Sequence, residues 1–279
     1  MKHLRVAVFL FIPLLLAACN AGPATSMNDG PEAAKLAQEI GAIRSVNADT
    51  EGNVVFIRIE LRKDRIGVGI LPRLVHFRHL QEVELEGDGL TDEDLRQLAP
   101  IKTLRSLNIG DARSFSGTGL SHLRYLPHLE KLCLYRIPIT DDGAQALPEL
   151  RHVKELNLVG SLFGAKGCEA ISRMTRLAGL YTCGPEFDEE AARHLTKLSN
   201  LEHLNLRDTR LSDENLGAIV GLPRLKVLHF DGAKVTFSGL MKLASSDSLE
   251  EIHYRQVHVT KEQWKLLREA NPNIEWEPS

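Results

Sequence analysis

Three histidines share one recurring spacing. His203, His229 and His253 lie 26 and 24 residues apart, with Asp208 and Asp231 close behind two of them. Imidazoles beside a carboxylate are ligands for Zn²⁺ or a similar ion. Metal sites that are legible in sequence usually carry a pair of ligands a few residues apart, and none occurs here. A ladder of polar histidines explains the pattern, and no metal is expected. Lys131, Tyr135 and Arg136, joined by Tyr181, combine positive charge with aromatic rings, and Tyr and Arg are enriched where binding energy concentrates. Glu82, Glu84 and Glu86 alternate along one short stretch, with Arg58 one repeat earlier, as on a solvated acidic face holding one ion pair. G-x-S-x-G, H-E-x-x-H, a P-loop and paired C-x-x-C motifs are all missing. No catalytic residue and no cofactor is therefore expected.

The elements that position these residues repeat. The pattern L-x-x-L-x-L recurs from Val54/Ile57/Ile59 through Leu80/Val83/Leu85 to Leu249/Ile252/Tyr254, and Ile274 opens a tenth unit. Most steps are 24 residues long, one is 26 and two are 25. A second apolar set returns at every third residue later in the unit, as in Leu95, Leu98 and Ile101 or Leu216, Ile219 and Leu222. Before each set stands a capping residue: Thr91, Ser116, Thr140, Asp188, Ser212, Thr236 or Thr260, with Gly164 the weak exception. Thr91 with Asp94 and Thr260 with Gln263 have capping-box spacing. Each unit thus reads as a short strand, a turn, a capped helix and a return. No unit can bury its apolar edge alone, so neighbours must stack.

These units resemble the leucine-rich repeat family over residues 54–276, and most closely its bacterial 24-residue type. The unit from Leu201 through Thr209 to Leu211-Ser212-Asp213 matches best. The resemblance implies an α/β solenoid, a horseshoe with a parallel concave sheet and convex helices. The asparagine that many members place at unit position 9 is replaced by Asp88, Pro185 and Thr209, among others. Residues 31–53 are expected to form an N-terminal cap, with a helix over 32–40 and a strand from Ile43 to Val46. Nine repeats fill 54–273 and a C-terminal cap 274–279, and Trp264 of the last repeat with Ile274 and Trp276 of the cap supplies bulk at that end.

Alternate strand residues face opposite sides. Unit positions 1, 4 and 6 point into the core, and positions 3 and 5 face the concave side with 7 and 8 at its edge. That rule places Lys131, Tyr135, Arg136, Tyr181, His203, Asn205, Arg207, His229 and His253 on one concave surface, the expected partner-binding set. Cys133 and Cys183 fall there too, two strands or about 9–10 Å apart, beyond the roughly 7 Å that a disulfide spans. Cys168 takes a helix core position and is expected to be inert.

The N-terminus carries an address. Lys2 and Arg5 precede an apolar run from Val6 to Ala18, too short to span a bilayer, which needs about 20 residues. Leu16-Ala17-Ala18-Cys19 resembles the lipobox of bacterial lipoproteins. The resemblance implies that residues 1–18 are a signal peptide, that Cys19 is lipidated and that residues 19–30 form a flexible tether. Asn20, in place of the Asp that such sorting patterns retain in the inner membrane, implies the outer membrane, facing periplasm or exterior.

Composition agrees with a folded, soluble domain: 279 residues, 43% hydrophobic, 25% charged, formal net charge -3. The near-even charge balance argues against nucleic acid as partner. Repeats and caps occupy everything from residue 31 onwards and leave no room for a catalytic domain. The expected function is a non-enzymatic, membrane-anchored, monomeric module in the cell envelope that recognises a protein or envelope glycan on its concave face. The alternative is a metal- or cysteine-dependent enzyme using His229, His253 and Cys183.

Overall fold

The computed structural model describes residues 42–64, 68–183, 188–209, 211–232 and 234–278, without the Cys183 side chain. The expected signal peptide, lipidation site, tether and first helix lie outside the described residues, as does the Gly184–Pro185 turn.

Eleven strands form one sheet in sequence order. They are β1 (Ile43–Ala48), β2 (Val54–Glu60), β3 (Glu82–Glu86), β4 (Ser106–Gly110), β5 (Lys131–Tyr135), β6 (Glu155–Val159), β7 (Gly179–Cys183), β8 (His203–Leu206), β9 (Val227–Asp231), β10 (Glu251–Arg255) and β11 (Glu275–Pro278). β1 pairs with β2 antiparallel, and every later pair is parallel. The fold is an α/β leucine-rich repeat solenoid. Its core is the stack of inward strand residues, such as Ile57, Val83, Leu107, Leu156, Leu204 and Leu228, against the helix-side leucines Leu95, Leu120, Leu147 and Leu216, nearly all without exposed surface.

Two details depart from the sequence reading. Three early units carry 3-10 helices, Val68–His76, Asp92–Gln97 and Thr118–Tyr125, and α-helices dominate only from Ala165 onwards. The three-residue apolar spacing suits a helix with three residues per turn, but it recurs in the later α-helical units and does not by itself select the form. At the far end, Ile252 pairs with Trp276, so the last step is a regular one and Trp276 points inward. It is 8% exposed and meets Trp264 edge-on at 5.7 Å.

The helix starts are tied across units as well as within them. Thr91 N donates to Asp94 Oδ2 at 2.9 Å, Gln263 N to Thr260 Oγ1 at 3.2 Å, and Ala191 N to the Asp188 carboxylate at 2.8 Å. Ser116 does not cap: Gly117 takes that place, and Ser116 donates to Asp92 of the preceding unit. Asp92 Oδ1 also accepts from Gly117 N and Gly119 N. Asp141 does the same two units later, accepting from Gly164 N at 3.0 Å and Gly167 N at 2.7 Å, which supplies the cap that Gly164 lacks. The approach is close enough that a Cβ on Gly119 would stand 2.1 Å from the Asp92 carbonyl oxygen.

Candidate functional site

Pairing along the sheet builds two columns on the concave face. One runs Arg58, Glu84, Asn108, Cys133, Asn157, Tyr181, Asn205, His229, His253. The other runs Phe56, Glu82, Ser106, Lys131, Glu155, Gly179, His203, Val227, Glu251. Where each strand ends, the chain turns through left-handed backbone: Gly87 (φ 113), Asp111 (φ 53), Arg136 (φ 55), Gly160 (φ 94), Asp208 (φ 57) and Gln256 (φ 56). Non-glycine residues hold this conformation at a cost of about 1–2 kcal/mol each, and the stacked neighbours impose it.

A cavity of about 370 Å³ lies at the centre of the concave face. Tyr135, Arg136, Lys131, Tyr181, Asn205 and Arg207 all line it, together with Glu84, Asn108, Asp111, Glu155, Asn157 and Arg255. Lys131 Nζ stands 3.0 Å from Glu155, and Arg136 Nε 3.2 Å from Asp111, with the Arg136 guanidinium 5.9 Å from the Tyr135 ring centre. Burial, reinforced by the Glu155 charge, pushes the Tyr181 hydroxyl above its ordinary range, so it remains a neutral hydrogen-bonding group.

Arg207 differs from the other cations of this face. Arg255 spends its guanidinium on Asp231 at 2.9 Å and Asp208 at 3.7 Å. Arg207 is half-buried, and its Nε finds no partner among the described residues. Desolvation and then the nearby Arg255 charge lower its pKa, while Asp231 and Asp208 act the other way. Arg207 lines the cavity beside Arg255 and Asp208, with Asp231 nearby.

The histidines divide. His203 and His229 are half-buried, each with an Nδ1 that has no partner among the described residues. His253 is covered: it is 2% exposed, between Glu251 at 3.5 Å and Glu277 at 3.3 Å. Asn205 is also covered, at 5% exposed, and its Oδ1 accepts from Arg207 N at 3.0 Å. Neither presents the open surface that its column position suggested. β11 closes over His253, and Asn205 sits at the floor of the cavity between larger neighbours. Among the described residues no group of three or more His, Cys, Asp and Glu side chains is arranged to hold a metal ion.

At the other end, Arg58 pairs with Glu84 at 3.6 Å and Glu86 at 2.5 Å. Desolvation raises the carboxyls of Glu82 and Glu84. Burial pushes the Cys133 and Cys168 thiols up to about 12, so both are protonated and unreactive near neutral pH. Asn157 was not singled out by sequence reasoning, yet its Oδ1 accepts from Val159 N at 3.0 Å, as Asn205 does two strands on. The signal was present as asparagine recurring in one column at 108, 157 and 205.

A leucine-rich repeat family model matches residues 197–220. The chain is similar in structure to an internalin (InlF) from Listeria monocytogenes, at 16% identity and a TM-score of 0.52, over 74% of this chain and 56% of that one. It thus spans little more than half of that relative's length. It is also similar to internalin C2 from the same organism, at 18% identity and a TM-score of 0.50, over 83% of this chain and 100% of that one. No curated protein matches in sequence. At these identities the likeness is one of fold, the leucine-rich repeat solenoid already read from the strand pairing.

Proposed function

We propose that the chain is a recognition module whose concave face binds a protein or envelope glycan, held at a membrane through a lipid on Cys19. The observation that carries the reading is the central concave cavity, where two tyrosines and Arg207 converge. A solenoid presents them on rigid strands, which reduces the ordering cost of binding. Tyr and Arg are the side chains that most often dominate binding energy. No step of bond-breaking chemistry follows from this set: the cysteine thiol of the cavity is protonated, and burial holds His229 neutral.

The test is paired truncation, Tyr135→Ala with Tyr181→Ala, measured as affinity for whatever the native chain holds in crosslinked cells. The pair is expected to weaken binding by at least about 2 kcal/mol, a hot-spot loss. Charge reversal of Glu93 and Arg96 on the helix side is the control and is expected to leave it unchanged. The reverse result would move the functional surface off the concave face.

A further inference from the structure

Charge is not spread evenly around the solenoid. The loops leading from each helix into the next strand stack along one edge and are bonded loop to loop: Thr103 Oγ1 to the Leu80 carbonyl at 2.6 Å, Lys102 Nζ to the Tyr125 carbonyl at 3.1 Å, Asn200 Nδ2 to the Thr175 carbonyl at 2.8 Å. Six loops of this edge each present an exposed cation, Arg78, Lys102, Arg151, Arg176, Lys197 and Arg224, and in the remaining unit Arg124 stands in the last turn of its 3-10 helix, 3.6 Å from Glu149. The opposite edge, where strands turn into helices, is mixed: Asp92, Asp142, Glu189, Glu190 and Glu214 stand there with Arg62, Lys63, Arg113, Lys166 and Lys261.

Helix dipoles favour acids at helix starts and bases at helix ends, but the effect fades within the last turn. Arg78, Arg151, Arg176, Lys197 and Arg224 all lie beyond the ends of their helices, at His76, Glu149, Ile171, Leu195 and Ile219. Nor does ion pairing account for them: Arg78, Arg151, Arg176 and Lys197 have no carboxylate within ion-pairing distance among the described residues. Tyr125 stands in the same row, 61% exposed, with the Arg124 guanidinium 4.4 Å over its ring.

We propose that this edge is a docking strip for an anionic bilayer surface. A succession of single cations along one edge fits a plane of headgroups. It lacks the succession of aromatic platforms on which nucleic-acid bases stack. Rows of four to eight Lys and Arg beside a membrane are the usual electrostatic match to anionic lipid, and an exposed tyrosine is at home at headgroup depth. Resting on this edge, the solenoid turns its concave face sideways and leaves the cavity open. The inference stands apart from the concave-face reading and shares only the bilayer with the anchor reading.

The test uses the full chain carrying Cys19→Ser, so that no lipid is attached, in flotation with two kinds of vesicle. One is phosphatidylcholine alone, which also reports the background from the apolar N-terminus. The other is phosphatidylcholine and phosphatidylglycerol in equal parts. Binding to the anionic vesicles is expected to exceed the background at least about tenfold and to fall steeply as salt is added. The combined variant Arg151→Gln, Arg176→Gln, Lys197→Gln is expected to lose that excess while melting like its parent. The opposite-edge variant Asp142→Asn, Glu189→Gln, Glu190→Gln is expected to keep it. Equal binding to both vesicles would overturn the proposal, whatever the folding of the variants. So would undiminished binding by the basic-edge variant, or capture by a soluble polyanion such as duplex DNA with none by vesicles.

Discussion

The imidazole rings of His229 and His253 stack face to face, 4.3 Å between centroids and 9° from parallel. They come from neighbouring strands in one column, where the spacing of about 4.8 Å between strands is close to the stacking distance of two rings. Their surroundings differ. His253 has carboxylates on both sides, from Glu251 and Glu277, whereas His229 meets burial first and then the positive potentials of His253, Arg207 and His203.

That asymmetry gives a pH dependence with a definite sign. The folded-state pKa of His229 is lowered from 6.5 to about 3, so the folded chain keeps it neutral where the unfolded chain protonates it. Between those values the unfolded state binds the extra proton, and stability falls as pH falls, by at most about 1.4 kcal/mol per pH unit. Glu82 and Glu84, with raised carboxyl pKa values, act in the opposite sense, so comparison with a variant is needed to isolate the histidine. His229→Asn is expected to flatten the melting-temperature profile below pH 6.5. An unchanged profile would show that the stacked pair carries no such linkage.

Strand register is tested by neighbours of opposite facing. Leu204 is fully buried in the core, and Leu204→Ala is expected to cost about 2–5 kcal/mol. Asn205 faces the concave side but is covered and accepts one backbone hydrogen bond, so Asn205→Ala is expected to cost about 1 kcal/mol. Denaturant unfolding of the two variants separates them, and equal losses would mean that the two residues do not differ in facing.

Arg136 sets stability against binding. Its φ of 55 suits glycine, and its ion pair with Asp111 is exposed and so worth little. Arg136→Gly is expected to raise stability by up to about 1 kcal/mol while removing a cation from the cavity rim. A fall in melting temperature would show that the arginine side chain holds the turn.

The anchor has a direct assay. Cys19→Ser is expected to release the chain from membranes or leave it as an uncleaved precursor, seen by cell fractionation and mass. A membrane-bound, fully processed Cys19→Ser chain would contradict lipidation at that residue.

The facing of each strand was legible because inward leucines repeat with a fixed period, and a period of two assigns every residue between them to one face. The columns through Tyr181 and Lys131 follow from that rule alone. Crowding on a face was not legible. A column position says where His253 points, not that β11 will lie beside it, nor that Asn205 will be walled in by its neighbours. The caps failed in a similar way. Ser116 has the right type and place, but Asp92 from the unit before reaches the same helix start first, and sequence spacing within one unit cannot show that. That the Arg207 Nε has no partner among the described residues also emerged only from the structure, because Asp208 and Asp231 beside it in the sequence and the sheet look like its partners and lie within ion-pairing distance of Arg255 instead.

The central claim is that recognition takes place at the concave cavity. It is tested most directly by placing a photo-crosslinking amino acid at Tyr181 in one chain and at Arg96 in another, and irradiating intact cells. The account predicts a discrete adduct from position 181 that is lost when Arg207 is changed to Ala, and none from position 96. An adduct from position 96 with none from 181 would contradict it.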